Sequence, residues 1–150
     1  MITQDLQNFS KKLDSVFKFN YNIKNLNWFN IGGKTKVYFK PDNLNDLILF
    51  LKNFGLKEKI FVLGAGSNIL LSDKIFDGVV IKLGKNFSNI SLLPNNVIVA
   101  GSAVSDKKLS DFAMENNIGG LEFLSCIPGT VGGGLRMNAG CFGKEFKDVL

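Results

Sequence analysis

The 150-residue sequence contains no histidine, and this absence excludes several kinds of catalytic site. Ser-His-Asp and Cys-His nucleophile systems, HExxH zinc sites and histidine-based general acid–base chemistry all require an imidazole. Cys126 and Cys141 therefore lack the partners that a zinc site needs, and we expect no metal. Two cysteines without a disulfide pattern fit a reducing compartment, so we expect a cytoplasmic protein. The chemistry must come from a cofactor, from carboxylates or lysines, or from residues on another segment.

Arginine is almost as scarce, since Arg136 is the only one among the 18 basic residues. The net charge of +5 is carried by lysines without a basic run, so we expect no nucleic-acid partner. Two interpretations of Arg136 stay open, a surface cation and a residue that neutralises a phosphate. There is also no apolar run of membrane-spanning length and no leader pattern, so we expect no membrane partner.

Apolar periodicity in the first part of the chain predicts helices and strands in alternation. Leu6, Phe9, Leu13 and Phe17 recur at helical spacing, which predicts a helix over residues 4–17 with Thr3 as its N-cap. A polar linker over residues 20–27 should follow. A strand–helix–strand unit comes next, with parallel strands, and the second strand reads as fully buried. Its parts are a strand Lys36–Lys40, a helix from Leu44 to Gly55 capped by Asp42 or Asn43, and a strand Ile60–Leu63.

The second part of the chain predicts a further strand, a hairpin and a helix. These are a strand Gly78–Leu83, a hairpin of Ile90–Leu93 with Val97–Ala100, and a helix capped by Ser105 and closed by Gly119–Gly120. We therefore expect an α/β (α+β) chain in which residues 1–26 form a helix and linker. Residues 27–84 should form one lobe and residues 85–150 a second lobe.

The segment Gly64–Ala65–Gly66–Ser67–Asn68 directly follows a predicted strand. Glycines at such a point allow consecutive backbone N–H groups to face an anion such as phosphate. The segment is not a Rossmann fingerprint, because Ile69 occupies the third glycine position. A Walker A loop is excluded too, because Gly78…Gly84–Lys85 has the wrong spacing and Asn86 stands where Ser or Thr is needed. A tight turn between strands and a phosphate-binding loop are equally open interpretations.

A second glycine-rich stretch, Pro128–Gly129–Thr130 followed by Gly132–Gly133–Gly134, is almost free of charge. Glycine lets a backbone lie directly against a flat or bulky ligand, which favours a cofactor loop over a loop that serves packing alone. Asn138 carries one acceptor and two donors, so it can address a heterocycle edge or hold the loop itself.

The order and spacing of three motifs are specific. The motifs are NWFNIGG (27–33), VLGAGSNILLSD (62–73) and GGLEFLSCIPGTVGGGLRMNAGCFG (119–143). Together they closely resemble the N-terminal half of the UDP-N-acetylenolpyruvoylglucosamine reductases, flavin enzymes of peptidoglycan precursor synthesis. The resemblance implies an FAD-binding PCMH-type domain like that of vanillyl-alcohol oxidase. Such a domain has a small βαβ-containing lobe and a larger mixed or antiparallel lobe, which would be truncated here at its C-terminus. The substrate-binding C-terminal domain would be absent from this chain.

The resemblance also implies cofactors, a substrate and site residues. FAD would be the cofactor, NADPH the hydride donor and UDP-N-acetylglucosamine enolpyruvate the substrate, in a monomer of the bacterial cytoplasm. Phe142, where the family usually has tyrosine, would lie near the substrate, and the family's catalytic arginine, serine and glutamate would lie beyond residue 150. The FAD-binding residues would be Gly64, Ala65, Gly66, Ser67, Asn68 and Ile69 at the pyrophosphate, and Ile127, Pro128, Gly129, Gly133, Asn138 and Gly140 along the flavin and its ribityl chain.

Two other interpretations remain open beside this one. The chain would then be a truncated FAD- or nucleotide-binding module without catalytic activity, or part of another flavin oxidoreductase of the same fold. The absence of histidine argues against family members that hold their flavin covalently, and the Asn138–Ala139–Gly140 segment argues for the reductase.

Overall fold

A computed structural model describes residues 4–150, so the expected N-cap Thr3 lies outside the described residues. The chain separates into two compact units, here called the N-terminal unit, up to Asn86, and the C-terminal unit, Phe87–Leu150. Helices and strands are mixed in the chain, in agreement with the expected α/β class.

The N-terminal unit is built on a four-stranded sheet with the strand order β1-β2-β4-β3. Its elements are α1 (Gln4–Ser10), β1 (Val16–Asn22), β2 (Lys34–Lys40), α2 (Leu44–Phe54), β3 (Ile60–Val62) and β4 (Phe76–Ile81). β1 pairs antiparallel with β2, whereas β2 and β3 both pair parallel with β4. The strand–helix–strand unit is confirmed, but its two strands lie on either side of β4 and do not pair with each other.

The predicted helix over residues 4–17 is wrong beyond Ser10, because β1 begins at Val16. Phe17 and Phe19 alternate with exposed residues along β1 and pack against the core, and Phe17 stacks on Phe39 with ring centroids 4.3 Å apart. The expected linker over residues 20–27 is likewise replaced by the end of β1 and a short 3-10 turn, Lys24–Leu26.

The helix α2 begins and ends as its sequence indicates. Asn43, one of the two expected caps, accepts a hydrogen bond from the Asp46 backbone N–H at 2.9 Å, and Gly55 follows the last turn. Phe50 and Phe54 on its buried face pack with Phe39 of β2 in the core.

The burial predicted for the strand that follows α2 is wrong, because β3 is an edge strand. Its side chains are half-buried or exposed, with Val62 61% exposed. The central position belongs to β4, where Val79, Val80 and Ile81 are all buried.

The C-terminal unit contains two hairpins and two helices, and the first hairpin is confirmed. These elements are β5 (Ile90–Leu93), β6 (Val97–Ala100), α3 (Asp106–Glu115), α4 (Val131–Met137), β7 (Gly140–Cys141) and β8 (Lys144–Glu145). Asn95 and Asn96 turn the chain between β5 and β6 with φ of 63° and 60°. Ser105 caps α3 by accepting from the Lys108 N–H, but the helix ends at Glu115 and not at the expected Gly119–Gly120.

Candidate functional site

The parallel strands of the N-terminal unit end together at one edge of its sheet. Pairing of β3 with β4 continues one residue past the strand, because the Leu63 N–H donates to the Ile81 carbonyl at 2.8 Å. The chain then enters the GAGSN loop, defined here as residues 64–68. Ligands of parallel sheets bind beyond the carboxyl ends of the strands, so a ligand-binding site is expected at this edge.

The GAGSN loop leaves its backbone donors unused. Within residues 4–150, none of the five N–H groups from Gly64 to Asn68 donates to a backbone or side-chain acceptor. The loop is only partly exposed, and polar groups that are screened from water normally find a partner. Consecutive free N–H groups form the concave donor surface that holds anions, so the loop fits a phosphate group.

Gly66 shows that the same loop is also a tight turn. Its φ is 75°, and a Cβ there would overlap the Leu26 carbonyl oxygen and lie 2.8 Å from the Asn27 Cα. The Gly66 carbonyl accepts from the Trp28 N–H at 3.0 Å, which binds the turn to that neighbouring segment. Packing therefore requires glycine at position 66. The unpaired N–H groups are a property of all five residues of the loop and do not depend on this requirement.

The first two motifs of the sequence meet in the structure, although nothing local in the sequence predicts this. The Gly33 N–H donates to the Ser72 carbonyl at 2.9 Å, and the Gly32 N–H donates to Asp73 Oδ1 at 3.3 Å. The buried Asn27 side chain donates to the Ile31 carbonyl at 2.7 Å and shapes the first motif. NWFNIGG thus supports the loop that follows β3.

Lys82, which sequence reasoning missed, directs its ammonium group at the GAGSN loop. The side chain is half-buried and its Nζ donates to the Gly64 carbonyl oxygen. Burial lowers the pKa of this ammonium, and the nearby charge of Lys40 lowers it further. An isolated lysine in a mostly apolar strand gives no signal in the sequence, and only the register of β4 brings it to the loop.

The triple glycine of the C-terminal unit corrects the expectation of a loop, since Gly132–Gly133–Gly134 lies inside α4. Thr130 caps this helix by accepting from the Gly133 N–H at 3.4 Å, and Asn138 ends it with φ of 47°. Glycine disfavours helix by about 1 kcal/mol per residue, so tertiary contacts must offset that cost.

Two of these three glycines are required by packing inside the unit. A Cβ at Gly132 would lie 2.9 Å from the Ser102 Cβ, and one at Gly134 would overlap the Phe146 ring. A Cβ at Gly133 would meet only Thr130 Oγ1, at 3.3 Å. Gly133 is therefore the member of the triplet with the least packing against its missing side chain.

Gly129 lies directly against Asp106, which is completely buried. The Asp106 N–H donates to the Gly129 carbonyl at 3.3 Å, and a Cβ at Gly129 would overlap the Asp106 carboxyl. Neither oxygen of this carboxyl has a hydrogen-bond partner among the described residues. Burial raises the pKa of Asp106 to about 6. Sequence reasoning missed this residue as well, because an aspartate in the first turn of a helix is ordinary.

The side chain of Asn138 holds the turn after α4. Its Nδ2 donates to Glu145 Oε2 at 2.9 Å, and its Oδ1 accepts from the Lys147 N–H at 3.0 Å. Of the two roles that the sequence left open, holding the loop is the one with partners in the structure. A contact between Asn138 and a flavin stays a prediction.

The remaining predicted positions occupy different environments. Ile69 packs half-buried against the N-terminal core, Ile127 is half-buried, and Pro128 and Gly140 are exposed. Phe142 is 84% exposed, with φ of 53°. Arg136 is exposed in the last turn of α4.

Within residues 4–150, the structure has neither a metal-binding cluster nor a membrane-spanning helix. Residues 4–150 contain no group of three or more His, Cys, Asp or Glu side chains that could hold a metal ion. None of the helices formed by these residues is long and apolar enough to cross a membrane. Both cysteines are free thiols, with Cys126 exposed and Cys141 half-buried.

The chain is similar in sequence and in structure to known reductases. It spans about half the length of the curated relatives it matches. It is 71% identical over 150 residues to the UDP-N-acetylenolpyruvoylglucosamine reductase of Pelagibacter ubique, covering 100% of this chain and 50% of that protein. The reductase of Orientia tsutsugamushi strain Boryong is 45% identical over 142 residues, which are 93% of this chain and 47% of the relative. The crystal structure of the Thermus caldophilus reductase matches with a TM-score of 0.70 and 26% identity, over 89% of this chain and 45% of that one.

These similarities confirm the resemblance to the FAD-binding portion of this reductase family and the PCMH-type fold expected from it. Residues 35–150 match the family described as FAD binding domain. The chain belongs to this family of FAD binding domains.

Proposed function

We propose that this chain is the FAD-binding part of a UDP-N-acetylenolpyruvoylglucosamine reductase. The observation that carries the proposal is the 71% identity to such a reductase over all 150 residues. FAD would be bound along the GAGSN loop and the segment from Ile127 to Gly140. When bound, FAD supplies the transfer of reducing equivalents from NADPH to the enolpyruvyl double bond of the UDP-sugar substrate.

In the N-terminal unit, the GAGSN loop would hold the pyrophosphate through its free N–H groups. Five such groups are available from Gly64 to Asn68, and the loop contains no carboxylate that would repel an anion. Hydrogen bonds to a charged acceptor contribute about 1.5–3 kcal/mol each. Two or three such bonds are sufficient to fix the position of a diphosphate.

In the C-terminal unit, the predicted residues would line the flavin and ribityl end of the cofactor. Gly133 supports this assignment because no packing contact demands a glycine at that position. Gly129, Asn138 and Gly140 already have structural roles within the unit, so their contribution would come through backbone atoms. Phe142, exposed to solvent, would present an aromatic face to the substrate. We assign binding and orientation to these residues and no proton-transfer step.

The test uses the 150-residue chain and a longer protein, made by joining the chain to the unmatched half of the Pelagibacter ubique reductase. The chain is expected to bind FAD, seen as quenching of flavin fluorescence, and the longer protein to oxidise NADPH when UDP-N-acetylglucosamine enolpyruvate is added. A chain and a longer protein that both stay colourless after incubation with FAD contradict the proposal. FAD binding without NADPH oxidation by the longer protein supports a binding module without catalytic activity.

A variant pair tests the free amides directly. Ala65→Pro removes one backbone N–H from the GAGSN loop, whereas Ala65→Ser keeps it at the same position. We expect Ala65→Pro to weaken FAD binding about tenfold, as for one lost hydrogen bond to a charged group, and Ala65→Ser to change it little. Circular dichroism checks that both variants are folded, and equal affinities for FAD argue against pyrophosphate binding by these amides.

A further inference from the structure

Lys82 is a partly buried cation without a carboxylate partner among residues 4–150. Its backbone N–H donates to the Phe39 carbonyl at 3.0 Å, which fixes the residue at the carboxyl end of β4. From there its Nζ has one hydrogen-bond acceptor among residues 4–150, the Gly64 carbonyl oxygen. Partly buried ammonium groups normally pair with an anion, because withdrawal of a charge from water is costly.

A second lysine increases the positive charge at the same edge. Phe39 pairs with Ile81 in the parallel register of β2 and β4, so Lys40 and Lys82 follow at adjacent positions. The charge of Lys40 opposes protonation of Lys82, and no acidic group within residues 4–150 counteracts it. Two neighbouring cations and five free N–H groups make this edge of the sheet electropositive, which favours binding of an anion.

The bond from Lys82 determines which way the Gly64–Ala65 peptide faces. The carbonyl and the N–H of a trans peptide point in opposite directions. With the Gly64 oxygen held by Lys82, the Ala65 N–H must face away from the Lys82 ammonium, and it has no acceptor within the described residues. A cation on the carbonyl oxygen also polarises the peptide and makes its N–H a stronger donor.

We infer that Lys82 is a positioning residue for phosphate binding, which holds the Gly64–Ala65 peptide so that the Ala65 N–H faces the pyrophosphate. The inference rests on the proposed binding of FAD by the GAGSN loop. Lys82 acts through the peptide and does not itself need to touch the phosphate. Its role is distinct from that of the free amides, because its replacement removes none of the N–H groups of the loop and changes only how the Gly64–Ala65 peptide is held.

The experiment measures the affinity of the chain for ADP and for inorganic pyrophosphate by titration calorimetry. Lys82→Met is expected to weaken both affinities about tenfold, as for one charge-assisted hydrogen bond. Lys82→Arg, which can still donate to the Gly64 carbonyl, should restore most of the affinity. Lys59→Met is the matched control, because Lys59 is exposed just before β3 and its removal changes the net charge equally.

A spectroscopic readout separates positioning from simple stabilisation, and its first measurement needs only the wild-type chain. In ¹⁵N-labelled wild-type chain, the Ala65 amide resonance should be among those that move most on addition of ADP. Lys82→Met should shift this resonance in the free protein and reduce its response to ADP. If the chemical shift of the Ala65 amide does not change when ADP is added to the wild-type chain, the inference is wrong.

The remaining outcomes distinguish this inference from the proposed function. One outcome is that the wild-type chain and Lys82→Met bind ADP equally well, with only a lower melting temperature for the variant. In that case Lys82 is structural, and the inference fails while the proposed function stands. If the wild-type chain binds neither FAD nor ADP, the proposed function fails and the inference fails with it.

Discussion

Replacement of Asp106 by asparagine tests the consequence of burying a carboxyl without a partner. Asp106 is 0% exposed and both of its oxygens lack hydrogen bonds among the described residues. Burial raises its pKa from 3.8 to about 6. Because each pKa unit is worth about 1.4 kcal/mol, ionisation costs the folded chain about 3 kcal/mol relative to the unfolded one.

The sign of the pH dependence follows from the two states of this carboxyl. Below about pH 4 it is protonated in both the folded and the unfolded chain, and its ionisation costs nothing. Between about pH 4 and pH 6 the folded chain binds more protons than the unfolded one, so the free energy of unfolding falls as pH rises. Above about pH 6 the full cost is present. Asp106 therefore favours the folded chain most at acidic pH.

Asp106→Asn keeps the shape of the side chain and removes the charge. We expect the free energy of unfolding near pH 8 to rise by about 1–3 kcal/mol, since the amide is still left without partners. At about pH 4 the variant should match the wild-type chain within about 1 kcal/mol. Urea unfolding followed by circular dichroism at both pH values measures the two differences.

Asp111→Asn on the same helix serves as the control, because Asp111 is partly exposed and paired with Lys107 at 2.9 Å. This control should change stability by less than about 1 kcal/mol at either pH. A variant Asp106→Asn that is less stable than wild type near pH 8 would refute the reasoning, because it would mean that the carboxylate has partners that stabilise its charge.

Three further substitutions probe packing and a buried hydrogen bond. Gly134→Ala should destabilise the chain by about 1–2 kcal/mol, because the new methyl group would overlap the Phe146 ring and overpacking outweighs the gain in helix propensity. Gly133→Ala, with only Thr130 Oγ1 at 3.3 Å, should be neutral or slightly stabilising, and thermal unfolding compares the two. Ser15→Ala should cost about 1.5–3 kcal/mol in urea unfolding, because the Ser15 hydroxyl donates to buried Asp46 at 2.5 Å; an unchanged midpoint contradicts this.

The ambiguous N-terminal segment shows why local pattern alone misassigned part of the fold. Leu6, Phe9 and Phe17 fit helical spacing, yet Phe17 also begins an alternation of apolar and polar residues typical of a strand. Only pairing with β2 decides between the two, because it buries Phe17 against Phe39. Elements whose signals are strictly local, such as the Asn43 cap and the Asn95–Asn96 turn, were predictable.

The triple glycine illustrates the opposite case, in which tertiary contacts override propensity. Three consecutive glycines disfavour helix, and the sequence favoured a loop there. The Thr130 cap and the close packing of Gly134 on Phe146 select the helix instead, and a larger residue at 134 would not fit. This contact joins residues 12 positions apart, so no local rule could have revealed it.

The sequence by itself determined the family and the location of both glycine segments, because motif order and spacing are properties of the chain. It also excluded histidine chemistry outright. Only the tertiary structure decided which donors in those segments stay free, which glycines serve packing, and that Lys82 and Asp106 lie beside them. The physical reason is that a free N–H, an unpaired ammonium or an orphaned carboxyl is defined by what distant residues leave unsatisfied.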